Sequence, residues 1–315
     1  MIEVSHLSRF YGNHRAVDDV SFTIASNTIV GFLGLNGAGK TTTLKVIAGL
    51  LPPSAGTVRV DGEDLADAPE SFRKRIGFLP ETPPLYREQT VSEFLRFVGR
   101  LRGMSSSAVE ARLPTVIQRC QLHGREDWVI DQLSHGYRKR VGIAQAIIHQ
   151  PKLVILDEPI SGLDPVQIVE MRKVIRGLGQ ECTVLVSSHI LSEIEQTCDR
   201  ILVLQRGKLV FVGTGDELRG RKSGATILSL TVSGSRETAR AALDDQPGVK
   251  VLDVQDAGDG RLDIRLELAE DTREAVVDLL VRSSLGLRRL EEEGDELEDI
   301  FVALTKSASA TGGAR

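Results

Sequence analysis

The chain has 315 residues, 26% of them charged and 41% hydrophobic, with no apolar run near the ~20 residues that cross a bilayer; this suggests about two globular domains and excludes a helical membrane protein. Residues 221–315 hold 13 Lys and Arg against 19 Asp and Glu, while residues 1–220 hold 26 against 25, so the acidity lies in the C-terminal third and has the wrong sign for a nucleic-acid footprint. Cys120, Cys182 and Cys198 are too far apart for a zinc motif or a disulfide framework, and MIEVSHLSRF lacks the apolar core of a signal peptide, which predicts a cytoplasmic location.

The first thirty residues read as strands. Ile2, Val4 and Leu7 open one, Val20, Phe22 and Ile24 alternate in another, and Ser26-Asn27 turns the chain into a third, Ile29–Leu33. Next comes Gly34-Leu35-Asn36-Gly37-Ala38-Gly39-Lys40-Thr41-Thr42, which fits G-x-x-x-x-G-K-[ST]. Gly34, Gly37 and Gly39 are expected to free the backbone for positive φ and close approach to an anion. The loop N–H groups and the dipole of the helix predicted over Thr42–Leu50 then converge on phosphate oxygens. Lys40 can place its charge on the β- and γ-phosphates, and the Thr41 hydroxyl can ligate Mg²⁺.

Thr57–Val60 alternates as a strand up to Asp61-Gly62, and Ile76–Leu79 is a short apolar strand stopped by Pro80. Thr90-Val91-Ser92-Glu93 is a capping-box sequence that opens a helix. A second helix is expected over Ser107–Gln121 with an interruption near Pro114, so that about 88–150 reads as a helical insert. Lys152–Leu156 is an apolar run, as in a strand buried on both faces, and it ends in Asp157 and Glu158. Asp157 can hold Mg²⁺, usually through water, and Glu158 can act as general base, although alone it reads equally well as a charged cap. Strand Thr183–His189, helices at Val166–Leu178 and Leu191–Thr197, and a hairpin across Arg206-Gly207 complete an α/β pattern with a largely parallel sheet.

Gly220–Gly224 reads as a linker. Beyond it the order strand, helix, strand, strand, helix, strand over 225–305 is a ferredoxin-like pattern. Leu297, Ile300, Phe301 and Leu304 mark one further amphipathic helix, and the tail 306–315 reads as disordered.

Leu133-Ser134-His135-Gly136-Tyr137, just before the apolar run Val141–Ile148, resembles the signature motif L-S-G-G-Q of ATP-binding-cassette (ABC) proteins, with His135 and Tyr137 substituted. Ser161-Gly162-Leu163-Asp164 resembles that family's D-loop, His189 its switch histidine, Tyr11 the aromatic that stacks on adenine, and Glu81 stands at the Q-loop position. The resemblance covers about residues 2–218, and the motifs come in the family's order. It implies a P-loop cassette over 1–219, with a parallel-sheet core, an antiparallel β subdomain and the helical insert, followed by the small α+β domain.

The resemblance further implies that Tyr11, Gly34, Asn36, Gly37, Ala38, Gly39, Lys40, Thr41 and Thr42 bind ATP. It gives Mg²⁺ to Thr41, Glu81 and Asp157, and hydrolysis to Glu158 and His189. The signature residues Ser134, Gly136 and Tyr137, at the start of a helix opening at Gly136, would face ATP held by a second cassette, with Asp164 contacting that subunit. Glu81 departs from the usual glutamine. With the Leu-Ser-x-Gly-Tyr signature and the C-terminal domain, this resembles the multidrug, antibiotic and gliding-motility export branch, whose cassettes serve a separate transmembrane permease. A soluble ABC ATPase linked to the ribosome is the alternative, but that type usually carries two cassettes and this chain has one phosphate loop.

Overall fold

Alternating apolar residues build β1 (Ile2–Tyr11) and β2 (His14–Ile24), which pair antiparallel around Gly12. β3 (Ile29–Leu33) is buried throughout and feeds α1 (Lys40–Ile47). β4 (Ala55–Val60) and the two-residue β5 (Glu63–Asp64) meet across Asp61-Gly62, both at positive φ as a tight hairpin requires. α2 (Pro69–Lys74) starts on a proline and leads into β6 (Ile76–Leu79). These coordinates are a computed structural model and describe residues 1–219, 226–244, 246–269 and 272–293.

The helical insert contains α3 (Val91–Leu101), α4 (Ser106–Arg119) and α5 (His135–Ile147). Thr90 caps α3 in a reciprocal box with Glu93, as its sequence predicts. The interruption expected at Pro114 does not occur, and α4 runs through it. Val109, Leu113, Val116 and Ile117 on one face are buried, and this packing outweighs the hydrogen bond that proline removes.

β7 (Leu153–Leu156), α6 (Pro165–Gly179), β8 (Thr183–Ser188), α7 (Leu191–Thr197), β9 (Arg200–Gln205) and β10 (Lys208–Gly213) complete the cassette, and α8 (Gly215–Arg219) follows. Two sheets result. One is antiparallel with order β2-β1-β4-β5; the other has six strands in the order β10-β9-β3-β8-β7-β6. The second is parallel except for the edge pair of β9 and β10. A shared core of Val4, Leu7, Phe22, Phe32, Leu44, Ile47, Phe72 and Ile155 fills this part, with the Phe22 and Phe32 rings tilted 6.2 Å apart.

Strand register positions the chemistry. Leu33 pairs with Ser188, Leu156 with Val186 and Leu79 with Leu156. The residues that follow these strands therefore emerge along one edge of the sheet, at the carboxyl ends where open α/β sheets bind ligands.

The chain divides into two compact units, Met1–Glu217 and Leu218–Arg315. The second contains β11 (Thr226–Ser233), α9 (Arg236–Leu243), β12 (Val249–Gly258), β13 (Arg261–Leu268), α10 (Arg273–Arg282) and β14 (Gly286–Glu293). The sheet is antiparallel with order β12-β13-β11-β14, the ferredoxin-like arrangement expected from the pattern. Leu228, Leu230, Ile264, Leu266, Val276 and Leu280 form its own core. The predicted linker at 220–224, the helix around Leu297–Leu304 and the tail lie outside the described residues.

Candidate functional site

An open cleft of about 420 Å³ lies at the carboxyl ends of the parallel strands. It brings together Tyr11, Asn36, Gly37, Gly39, Lys40, Thr41, Thr42, Glu81, Glu158 and His189 of the residues singled out from sequence. His14, Ala16, Leu35 and Ser161 also line it and were not singled out: His14 and Ala16 belong to no motif, while Leu35 and Ser161 stand inside the phosphate-loop and D-loop motifs at positions given no chemical task. Gly34 and Ala38 lie beneath the loop surface, and Asp157 is buried below the cleft, 1% exposed.

The phosphate loop is braced from two sides. Gly39 has φ +99°, and a Cβ there would stand 2.2 Å from the carbonyl oxygen of Ala16 in β2. Gly34 is not at positive φ, contrary to expectation; its glycine requirement is steric, since a Cβ would stand 2.6 Å from the Leu204 carbonyl oxygen in β9. Gly37, at φ +80°, faces open space. The hairpin turn between β9 and β10 adds a third brace: the Gly207 N–H donates to the Ala38 carbonyl at 2.9 Å, and the Asp18 N–H donates to Gly207 at 2.8 Å.

Lys40 is 6% exposed and donates to the Gly34 carbonyl at 2.6 Å. Its ammonium also lies 3.5 Å from Oε1 of Glu158. The other oxygen of Glu158 is 3.0 Å from Nδ1 of His189. The carboxylate is thus shared between the lysine of the glycine-rich loop and the histidine that follows β8. Glu158 has φ +47°, in the left-handed region where a side chain costs about 1–2 kcal/mol. Its N–H donates to Ser187 Oγ at 2.9 Å, and the same hydroxyl donates to Asp157 at 2.6 Å.

Lys139 was not anticipated. It is 2% exposed and donates to the backbone carbonyls of Glu81 at 2.6 Å and Glu158 at 3.1 Å. Burial lowers its pKa, and the Glu81, Asp157 and Glu158 carboxylates act in the opposite direction. The clue in the sequence is position: Lys139 lies one turn before Ile143 on the buried face of α5.

The signature residues do not line this cleft. α5 begins one residue earlier than expected, at His135, with the Ser134 hydroxyl accepting from the Tyr137 N–H at 3.5 Å. Gly136 packs against Gln167, whose Oε1 would lie 2.6 Å from a Cβ there. Tyr137 has the guanidinium groups of Arg140 and Arg125 at 5.1 and 5.5 Å from its ring. Asp164 caps α6 by accepting from the Gln167 N–H at 2.9 Å. At the far end of the cleft Tyr11 ends β1, half exposed, with Arg9 5.0 Å from its ring centroid.

Comparison with known proteins agrees with this geometry. The sequence profile described as ABC transporter matches residues 17–161. The bacitracin transport ATP-binding protein BcrA of Bacillus licheniformis is 32% identical, over 96% of this chain and 97% of its own. The Nod factor export ATP-binding protein I of Sinorhizobium fredii is 34% identical, over 96% and 85%. A solved structure of an ATP-binding subunit of an ABC transporter superposes with a TM-score of 0.63 at 36% identity, covering 70% of this chain and 92% of that one. On this fold and these likenesses the chain belongs to the ABC transporter family, as an ATP-binding, ATP-hydrolysing subunit.

Proposed function

We propose that the chain powers export through a separate membrane-spanning permease, as one half of a head-to-tail pair of cassettes with ATP between them. Among the described residues no helix is long and apolar enough to cross a membrane, and the subunit would sit on the cytoplasmic face of the permease. The Nod factor export relative supports the outward direction.

The observation that carries the paired arrangement is the separation of the two half-sites. Lys40, Glu158 and His189 share one cleft, while Ser134 and the α5 N-terminus lie outside it. That N-terminus carries the positive end of the α5 dipole and suits an anion from elsewhere. A second copy would supply that anion as the γ-phosphate in its own cleft. Tyr11 would stack on the base, and Asn36, Gly37, Ala38, Gly39 and Thr42 would cradle the phosphates.

Phosphate arriving at Lys40 competes with Glu158 for one ammonium, which frees the carboxylate to accept a proton from the attacking water. His189 then orients the carboxylate and hydrogen-bonds the γ-phosphate. Thr41, Glu81 and Asp157 offer the hard oxygen donors that Mg²⁺ takes, and Mg²⁺ commonly needs only one or two carboxylates beside substrate phosphates. When bound, the ion would neutralise charge on the β- and γ-phosphates.

Glu158→Gln tests the arrangement. It should lower hydrolysis by about 10²–10⁴-fold while ATP affinity holds, because the amide matches the shape but accepts no proton. Light scattering should then detect an ATP-dependent dimer, and adding Ser134→Arg to the same chain should abolish it without loss of ATP binding. Persistence of the dimer in the double variant would rule out the composite site.

A further inference from the structure

Lys139 holds a position that stability alone does not explain. Removing an ammonium from water costs several kcal/mol unless it is well compensated, and an apolar side chain of similar volume is often equally stable. Lys139 is nevertheless buried, in the middle of the cassette, and among the described residues it forms no ion pair within 4.0 Å. Its hydrogen bonds run to two carbonyls, both belonging to residues whose side chains face the cleft.

The carbonyl of Glu158 is the telling partner. Glu158 sits at positive φ, so its peptide groups must be held from outside. Ser187 takes its N–H, and Lys139 donates to its C=O. The same ammonium fixes the turn after β6 through Glu81. Lys139 itself stands on α5, four residues beyond His135 and in the same helix that Ser134 caps. One side chain thus joins the signature helix to the backbone of the general base and to that of the carboxylate at the Q-loop position.

We propose that Lys139 is a positioning residue for ATP hydrolysis, which sets the Glu158 carboxylate through the Glu158 backbone and ties that setting to the position of α5. A shift of α5 moves the ammonium, and the ammonium carries both carbonyls with it. An error of about 1 Å in such a group can cost 10²-fold in rate. The inference rests on Glu158 being the base, which Glu158→Gln alone tests.

Lys139→Met is the main variant, close in volume and without donors or charge. In the full chain kcat should fall about 10–100-fold, while the KM and Kd for ATP stay within about threefold and the thermal midpoint holds. In a Glu158→Gln background, followed over long single turnovers, Lys139→Met should lower the residual rate by less than about twofold, since a group acting through Glu158 has nothing left to act on. An unchanged kcat overturns the proposal. So does a loss that multiplies fully with that of Glu158→Gln, or one that tracks lost ATP affinity and a lowered midpoint, because either outcome makes Lys139 a structural lysine. If Lys139→Met does not fold, Lys139→Gln decides: it keeps N–H donors on a shorter stem, and its kcat should be several-fold below the parent, parental kcat being the overturning result. Full activity in Glu158→Gln would instead remove the base itself, and the role of Lys139 with it.

Discussion

Alanine at Gly39 and at Gly37 should behave differently although both residues have positive φ. Gly37→Ala adds only conformational strain of about 1–2 kcal/mol in open space. Gly39→Ala also drives a methyl against the Ala16 carbonyl, so it should abolish ATP binding in a titration where Gly37→Ala weakens it about tenfold. Equal losses at the two positions would show that φ alone matters. His149 offers a test by pH. Its Nε2 meets the Ile76 carbonyl, and burial, with repulsion from Arg102, pushes its pKa down to about 4. A depressed histidine pKa leaves stability intact above the ordinary value of about 6.5 and removes it as pH falls toward 4, by up to about 1.4 kcal/mol per pH unit. His149→Gln should therefore lose less stability than the parent between pH 7 and 4.5 in urea unfolding, and parallel losses would refute this. Lys40 was singled out by the spacing of its glycine-rich loop, and Glu158 and His189 by the ordered motifs that resemble the ABC family; the structure brings all three to one cleft. Lys139 was not singled out, because Arg138-Lys139-Arg140 resembles a solvated basic run until the helix phase turns its second and third members inward.

Elements were most legible where a local signal and a hydrophobic period agreed. The capping box at Thr90 and the alternation in β13 are such cases. α2 went unnoticed because six residues offer too little periodicity, and only Phe72 is buried among them. Pro114 misled in the opposite direction, since a breaker is read locally and the buried face of α4 is not. Pro114→Ala should restore a backbone donor and raise stability by about 1–2 kcal/mol, less than the ~3 kcal/mol scale for proline in a helix interior because the unfolded chain regains freedom too. A fall in the thermal midpoint would mean that α4 is shaped around its proline.

At the scale of the whole molecule, every residue lining the cleft, and Ser134 with the α5 N-terminus, comes from the first 217 residues, while the C-terminal unit has its own core. We propose that the boundary is functional as well. A chain ended near Gly220 should fold and bind ATP with an affinity within about threefold of the parent, because no cleft contact is removed. A folded truncation that fails to bind ATP would assign the C-terminal unit a part in the site. The braces on the phosphate loop have a last consequence. Ala16, Leu204 and Gly207 already hold its backbone, so the loop has little freedom left to lose when nucleotide enters. On the paired arrangement proposed above, what would still have to be ordered is the meeting of two copies, and the entropic toll of the cycle would fall on assembly, where the concentration of partners, rather than loop flexibility, would throttle the motor.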